Sequence, residues 1–316
     1  MNLPRLSVVV PNYNHAEFLP TCLNALLNQS VPPFEVIVID DGSTDGSLAV
    51  IEEFAARHPN LRAVRNDRNR GVVFTLNRGL ELARGEYVFF PAADDEVTPG
   101  LFEKSLSLLA QHPEAGLSCT VSEWREGDLK WHMAAGMASR PCYLSPAELV
   151  RLGRARKLAI VSHSAIMRKA ALVGAGGWIP ELRWHSDWFA TYITGFRHGL
   201  CFVPETLSLV NILPQSYYQS GHRKDEQRRV LRHLLELLGS ESYADVAPLV
   251  RDSGELSVFT LPMLRLLWSD RKYRRFLTPR LMWRFLWRGG ELLGKRFLPQ
   301  RLARWVLNRW YRARIA

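Results

Sequence analysis

The chain of 316 residues is poor in cysteine and has no long hydrophobic run. Its four cysteines form no C-x-x-C pair, which excludes the usual zinc-ribbon and dithiol redox patterns and predicts free, buried thiols. No stretch reaches the ~18 apolar residues of a membrane-spanning helix. The first apolar run, 6–10, is shorter than the ~7–15-residue core of a signal peptide, and no small-residue cleavage site follows it. We therefore expect the chain to stay in the cytoplasm.

Acidic residues are almost absent from the C-terminal end. The stretch from Arg271 to Ala316 holds 14 of the 41 lysines and arginines and a single acid, Glu291. Tryptophan and leucine alternate with these bases, a pattern typical of helices in the membrane interface, where anionic lipid contributes ~1 kcal/mol per well-placed base. We expect residues 271–316 to contact the inner face of the cell membrane. The alternative is a helical subdomain that packs on the rest of the protein; no recognised motif indicates nucleic acid.

Strands and helices alternate over residues 6–111. Apolar runs predict buried strands at 6–10, 35–40, 61–64 and 87–90, and helical spacing predicts helices at about 16–28, 47–57, 71–83 and 99–111. This alternation is typical of an α/β fold in which helices cover both faces of a parallel sheet. Ligands of such sheets bind beyond the carboxyl ends of the strands. The pattern is less regular from 117 to 213 and helical from 225 onward.

Polar clusters follow three of the predicted strands, at 11–14, 40–47 and 92–96. Carboxylates gathered at one rim repel each other unless hydrogen-bond donors or a cation compensate, and a divalent cation bound to phosphates is a natural partner. Each cluster alone also fits a structural role: a turn and helix cap at 41–45, or the acidic first turn of a helix at 94–96. Their joint occurrence at successive strand ends favours a binding site.

The order and content of these clusters resemble the family 2 glycosyltransferases, which have the GT-A fold. Four segments carry the similarity, at 7–14, 35–45, 69–77 and 85–96, and the last resembles the stretch with the family's D-x-D metal motif. The resemblance implies a Rossmann-like, mostly parallel sheet with helices on both faces and a C-terminal helical region. It divides the chain into a nucleotide-sugar-binding half (1–115), an acceptor-binding and catalytic half (116–222), and a basic amphipathic helical region (223–316).

The resemblance also implies which residues bind the donor. The nucleotide-sugar residues are Pro11, Tyr13, Asn14, Asp40, Asp41, Asn69, Gly71, Asn77 and Asp94. Asp95 and Asp94 would hold Mg²⁺ or Mn²⁺. His222 is a further candidate ligand, in a loop that often closes over the diphosphate in related enzymes. Many family members have an aspartate where Ala92 stands, so this chain has one acid fewer in the motif.

An inverting sugar transfer needs a base for the acceptor hydroxyl, and general-base help is worth ~10²–10⁴ in rate. The family places this acid after a glycine–aromatic turn and before a helix. The segments 176–178 and 184–188 are similar to that arrangement, which implies Asp187 as the base and Trp178, His185 and Trp188 as acceptor contacts. Asp187 as a helix N-cap and His185 as a surface histidine are the structural alternatives.

These features predict an inverting glycosyltransferase that moves a sugar from a nucleoside-diphosphate sugar, with uracil as the expected base, to an acceptor hydroxyl. The resemblance implies bacterial surface polysaccharide or glycolipid synthesis, with a saccharide or lipid-linked acceptor. Two alternatives stay open. One is a sugar nucleotidyltransferase, although no glycine-rich basic loop follows the first strand. The other is a non-catalytic nucleotide-sugar-binding protein of the same fold.

Overall fold

The computed structural model describes residues 3–212 and 224–287. Its strands are β1 (Leu6–Asn12), β2 (Glu35–Asp40), β3 (Leu61–Arg65), β4 (Tyr87–Phe89), β5 (Glu96–Val97), β6 (Leu117–Glu126), β7 (Leu129–Met133), β8 (Cys142–Leu144), β9 (Ile166–Arg168) and β10 (Leu200–Asn211). Its helices are α1 (Leu19–Leu27), α2 (Ser47–Arg57), α3 (Val72–Leu82), α4 (Leu101–Gln111), α5 (Pro146–Arg154), α6 (Lys169–Gly174), α7 (Ser186–His198), α8 (Lys224–Leu238), α9 (Ala247–Ser253) and α10 (Thr260–Ser269). A last helical segment covers 279–287.

The strands form one sheet in the order β3-β2-β1-β4-β9-β6-β10-β5, with β7 beside β6 and β8 beside β10. The pairs among β3, β2, β1 and β4 are parallel, as the alternation predicts, and so is β6 with β10. Strand β9 is antiparallel to both of its neighbours, β4 and β6. Within the central strands, Ile37 and Ile39 face one apolar core while Val36 and Val38 face the other, because successive side chains point to opposite faces. The α/β prediction is confirmed.

Most element predictions in the first part of the chain hold within a few residues, and those for β2 and α2 are confirmed residue for residue. The acidic cluster at 94–96 is not the first turn of a helix, since α4 begins only at Leu101 and Glu96 starts a short strand. The prediction of free thiols is confirmed: all four cysteines are unpaired, and three are buried.

The C-terminal helices pack on one face of the sheet. Their apolar residues, among them Leu231, Met263 and Phe285, belong to the same core as Val9 of the central strand. Residues 271–287 therefore pack in part on the domain, which is one of the two alternatives for the basic stretch. Residues 288–316 lie outside the described part. Within 3–212 and 224–287, no helix is long and apolar enough to cross a membrane.

Candidate active site

Loops at the carboxyl ends of β1, β2 and β3 are joined by buried hydrogen bonds. The Asn12 amide nitrogen donates to Asp40 Oδ1 at 3.0 Å and to Ser43 Oγ at 3.2 Å. The Asn12 carbonyl accepts the Asp41 backbone N–H at 2.7 Å. These bonds fix the turn after β2 against the end of β1.

Asp41 organises the third loop through its carboxylate. Oδ1 accepts Asn66 Nδ2 at 2.6 Å and the Arg70 backbone N–H at 2.9 Å, and Oδ2 accepts the Gly71 backbone N–H at 2.8 Å. The next residue, Gly42, has a φ of +75°, and a Cβ there would lie 2.7 Å from a backbone atom of Arg68. Only glycine allows these two loops to approach so closely.

The other predicted donor residues complete this edge. Tyr13 is 41% exposed. Asn14 has a positive φ of 56°, and its side-chain oxygen accepts the Thr44 N–H at 2.8 Å. Asn69 Oδ1 accepts the Gly71 N–H at 3.0 Å. The structure thus gathers the following predicted donor residues at one end of the sheet: Pro11, Tyr13, Asn14, Asp40, Asp41, Asn69 and Gly71.

Asn77 has a different environment. Its amide nitrogen donates to the Trp178 carbonyl at 2.6 Å, and its oxygen accepts the Trp178 N–H at 3.2 Å. Both polar atoms of the side chain are thus used to join α3 to the turn that precedes α7.

The loop after β4 is fixed against the end of β10. Asp95 is buried, and its Oδ1 accepts the Asn211 backbone N–H at 2.9 Å. The Asn211 side chain in turn donates to the Asp94 carbonyl at 2.8 Å. Asp95 Oδ2 lies 2.5 Å from His163 Nδ1, which comes from the turn before β9. Three distant segments of the chain meet here.

Charges in this cluster shift the titration of its members. Burial, followed by the neighbouring charge of Asp95, raises the pKa of Asp94 above its ordinary value. Burial alone would lower the pKa of His163. The charge and hydrogen bond of Asp95, with the charges of Asp187 and Asp94, outweigh burial and raise the His163 pKa to about 9. At neutral pH His163 is therefore an imidazolium beside Asp95.

Asp187 belongs to the same cluster. It lies in the first turn of α7, whose N-cap residue is His185, so Asp187 is not the N-cap. Its Oδ2 accepts the Ser162 hydroxyl at 2.9 Å, and its Oδ1 accepts the Trp188 N–H at 2.6 Å. Because Ser162 and His163 are adjacent in the chain, the predicted base and the predicted metal-binding loop are joined through two consecutive residues.

The predicted acceptor residues are partly built into the core. Trp178 is only 4% exposed, with its ring edge-on to Phe90. The Trp188 ring stacks on Tyr192 with centroids 4.6 Å apart. His185 is half-buried rather than a surface residue, and burial lowers its pKa to about 4, so it is neutral at pH 7.

A cleft of about 420 Å³ opens beside Asp94. It lies between α1, the loop after β4, the β6–β7 turn and the end of β10. Its lining residues are Glu17, Phe18, Thr21, Cys22, Asp94, Asp95, Glu96, Arg125, Gly127, Asn211 and Ile212.

The carboxylates at this cleft fit a divalent cation that arrives with a diphosphate. Mg²⁺ binds through one or two carboxylates and takes its other ligands from phosphates and water. Asp94 and Asp95 provide that number, and both line the cleft. Each Asp95 oxygen also has a protein partner, Asn211 N–H for Oδ1 and His163 Nδ1 for Oδ2. The described residues contain no group of three or more His, Cys, Asp or Glu side chains able to hold a metal by themselves. His222 lies outside the described residues.

The sequence pattern did not indicate Ser162, His163, Asn66 or Asn211 as site residues. Ser162 and His163 form part of a polar triplet between two apolar segments, before a three-residue strand. That interruption was the available signal, but it does not identify their partners. Asn211 ends a strand, as Asp40 does, and a search of every strand end would have included it.

Comparison with known proteins identifies the family. The model of glycosyl transferase family 2 matches residues 7–173. The uncharacterized glycosyltransferase YibD of Escherichia coli (strain K12) is 36% identical over 129 residues, which are 40% of this chain and 37% of YibD. Chondroitin synthase of Escherichia coli is 29% identical over 141 residues, 45% of this chain and 20% of the synthase. The chain therefore spans much less than two thirds of these two relatives.

A solved structure shares the fold over almost the whole chain. S. aureus TarS 1-349 in complex with UDP-GlcNAc superposes with a TM-score of 0.64 at 18% identity, covering 98% of this chain and 88% of TarS 1-349. This likeness confirms the GT-A fold. Because the family match covers more than half of the 316 residues, the chain belongs to glycosyl transferase family 2.

Proposed function

We propose that this glycosyltransferase transfers a sugar, with inversion, from a UDP-sugar to a hydroxyl of a saccharide or lipid-linked acceptor in bacterial surface polysaccharide or glycolipid synthesis. The observation that carries the proposal is the joining of Asp187 to Asp95 through Ser162 and His163. In a single displacement the acceptor and the donor must meet, so the base and the carboxylate on the donor side must lie in one cluster. UDP-GlcNAc in the TarS complex and the name of chondroitin synthase support the donor and the setting.

The reaction is a direct displacement at the anomeric carbon. Asp187 accepts the proton of the acceptor hydroxyl. At the same time, the oxygen of that hydroxyl forms the new bond to the anomeric carbon. The bond from the anomeric carbon to the diphosphate oxygen breaks on the opposite face, so the configuration inverts. The Ser162 and Trp188 hydrogen bonds hold the Asp187 carboxylate in one orientation during this step.

Asp94 and Asp95 would hold Mg²⁺ or Mn²⁺ together with the donor diphosphate, and the cation would neutralise charge that develops on the leaving group. Because ligands that bind only the folded state raise its melting temperature, UDP-GlcNAc should raise the Tm more with Mn²⁺ present than without it. The Mn²⁺-dependent part of the shift should disappear in Asp94→Asn. An equal shift with and without Mn²⁺ would show that donor binding needs no metal.

Replacement of Asp187 by Asn tests the proposed function. UDP release from a panel of UDP-sugars, with saccharide and lipid-linked acceptors, should fall by ~10²–10⁴, while the affinity for UDP-GlcNAc stays within about twofold. The matched control is Asp225→Asn, which removes an exposed carboxylate from α8. Full transfer by Asp187→Asn would remove this residue as the base, and UDP-sugar binding without transfer by the wild type would favour a non-catalytic protein.

We also propose that the C-terminal region contacts an anionic membrane surface. On the segment 279–287, Trp283 and Leu286 are 64% and 66% exposed and Trp287 is 44% exposed. Their spacing of three and four residues places them on one helical face, opposite the buried Leu281 and Phe285. The Arg156 guanidinium lies 4.5 Å from the centroid of the Trp287 ring, and exposed tryptophan near arginine suits the lipid headgroup region.

Vesicle co-sedimentation tests the membrane contact. The full chain should bind vesicles that contain phosphatidylglycerol, and Trp283→Ser combined with Leu286→Ser should weaken this binding at least tenfold, because each buried apolar side chain contributes ~1.5–3 kcal/mol. Val173→Ser, which removes an exposed apolar side chain from α6, is the control. Unchanged binding by the double variant would exclude this face as the contact.

A further inference from the structure

Each of the three side chains in the polar triplet Ser162-His163-Ser164 contacts a different part of the protein. The triplet forms a single 3₁₀ turn between an apolar segment and β9. The Ser162 hydroxyl donates to Asp187, and His163 Nδ1 contacts Asp95. Ser164 Oγ accepts the Thr120 N–H at 3.1 Å. The turn therefore contacts the base, the donor-side loop and the sheet at once.

Buried hydrogen bonds anchor this turn to the sheet. Ser164 is fully buried, and its hydroxyl lies within hydrogen-bond distance of the carbonyls of Thr120 and Val161 as well. The His163 ring packs edge-on against Trp124, which like Thr120 belongs to β6, with centroids 6.0 Å apart. A buried anchor on β6 gives Ser162 and His163 fixed positions relative to the sheet.

We propose that Ser162 and His163 are positioning residues that together set the distance and orientation of Asp187 relative to Asp95 in the transfer reaction. This inference rests on the proposed function, because it assigns Asp187 as the base and Asp95 to the donor side. Neither residue needs to touch the substrate for this role. Each acts through the carboxylate that it holds, and the shared 3₁₀ turn couples the two.

The two connections have separable effects on kinetics. Loss of the Ser162 hydroxyl frees the Asp187 carboxylate on the acceptor side, and misplacement of a catalytic group by about 1 Å costs up to ~10²-fold in rate. We expect Ser162→Ala to lower kcat 10- to 100-fold while the KM for UDP-GlcNAc stays within about twofold. His163→Ala should raise the KM for the donor as well as lower kcat, because it releases Asp95.

Conservative variants distinguish positioning from general damage to the fold. Ser162→Thr keeps the hydroxyl, and His163→Asn keeps an N–H donor close to the position of Nδ1, so each should recover most of the lost kcat. Ser208→Ala is the matched control: it removes a buried hydroxyl of the same sheet that is hydrogen-bonded to Ser122 and not to either carboxylate. It should leave kcat and KM unchanged. Failure of both rescues would overturn the proposal.

A double-mutant cycle tests the Ser162–Asp187 hydrogen bond through protein stability, without measuring activity. Urea unfolding of wild type, Ser162→Ala, Asp187→Asn and the double variant should give non-additive effects, with a coupling of at least about fivefold in the unfolding constant. Additive effects would show that Ser162 does not hold Asp187, and would overturn the positioning proposal even if Asp187→Asn abolishes transfer. Conversely, strong coupling with full transfer by Asp187→Asn would confirm the Ser162–Asp187 contact but remove Asp187 as the base, and with it the catalytic role of this positioning.

Discussion

At the scale of single residues, buried carboxylates in this protein have two kinds of role. Asp95 lines the cleft and contacts His163, whereas Glu35 lies at the start of β2, at the opposite end of the strand from Asp40. Glu35 is fixed by the Ser7 hydroxyl at 2.7 Å and by the backbone and guanidinium of Arg84. Its contribution is to stability, and that contribution depends on pH.

Burial alone would raise the pKa of Glu35, but the hydrogen bonds from Ser7 and Arg84 outweigh it and hold the pKa below its ordinary value. A depressed carboxyl pKa gives stability that is present above the unfolded pKa of ~4.3 and is lost as pH falls through the folded pKa. We therefore expect Glu35→Gln to be less stable than wild type by ~1.5–3 kcal/mol at pH 7. The difference should shrink as the pH falls below about 4.

Urea unfolding at pH 7, 5, 4 and 3 measures this pH dependence. The control is Glu53→Gln, which removes an exposed carboxylate paired with Arg57 on α2 and should change stability by less than ~1 kcal/mol. A constant difference between Glu35→Gln and wild type over the whole pH range would contradict the assignment of the linkage to this carboxylate.

At the scale of elements, Asn77 connects α3 to the turn before α7. The resemblance to the family assigns it to the donor, whereas the structure shows both of its polar atoms on the Trp178 backbone. We therefore expect Asn77→Ala to cost ~1–3 kcal/mol of stability and to lower kcat, since Asp187 follows this turn. The affinity for UDP-GlcNAc should stay within about twofold.

Thermal unfolding and donor titration measure the two effects of Asn77→Ala separately. Asn60→Ala is the matched control, because it removes an asparagine amide that donates to the Pro33 carbonyl, away from the cleft. A tenfold loss of donor affinity in Asn77→Ala without loss of stability would instead indicate direct contact with the nucleotide.

The elements also show which features of the fold and site could be predicted from the sequence. The bounds of β2 and α2 follow from local patterns, since apolar alternation and helical spacing act within a few residues. Asp41, Asp95 and Asp187 could be predicted as site residues because they stand at strand and helix ends and match family segments. The partners of these carboxylates could not. Ser162 is 25 residues from Asp187, and His163 is 68 residues from Asp95. Their pairing depends on where β9 enters the sheet, which no local pattern specifies.

At the scale of the whole molecule, one buried arginine joins the C-terminal helices to the α/β domain. Arg284 is 4% exposed and donates to the carbonyls of Gly153 and Ser253, at the ends of α5 and α9. Its guanidinium also pairs with the buried Glu255 at 3.1 Å. The apolar core that contains Phe285 also contains Val9, so the two regions share one interior.

Because this interior is continuous, the described domain should unfold in a single transition, and Arg284 should matter for all of it. Arg284→Met would leave two buried carbonyls without their donor and remove a cation beside Glu255. Breaking a buried pair in this way typically costs ~3–5 kcal/mol. Urea unfolding followed by tryptophan fluorescence and by circular dichroism should show one shifted transition with both probes.

Adding Glu255→Gln to Arg284→Met should recover part of the lost stability. The control is Arg280→Met, an exposed change on the same segment, which should change stability by less than ~0.5 kcal/mol. Two separate transitions in the wild type would show instead that the helical region folds independently, and Arg284 would then stabilise only the contact between them.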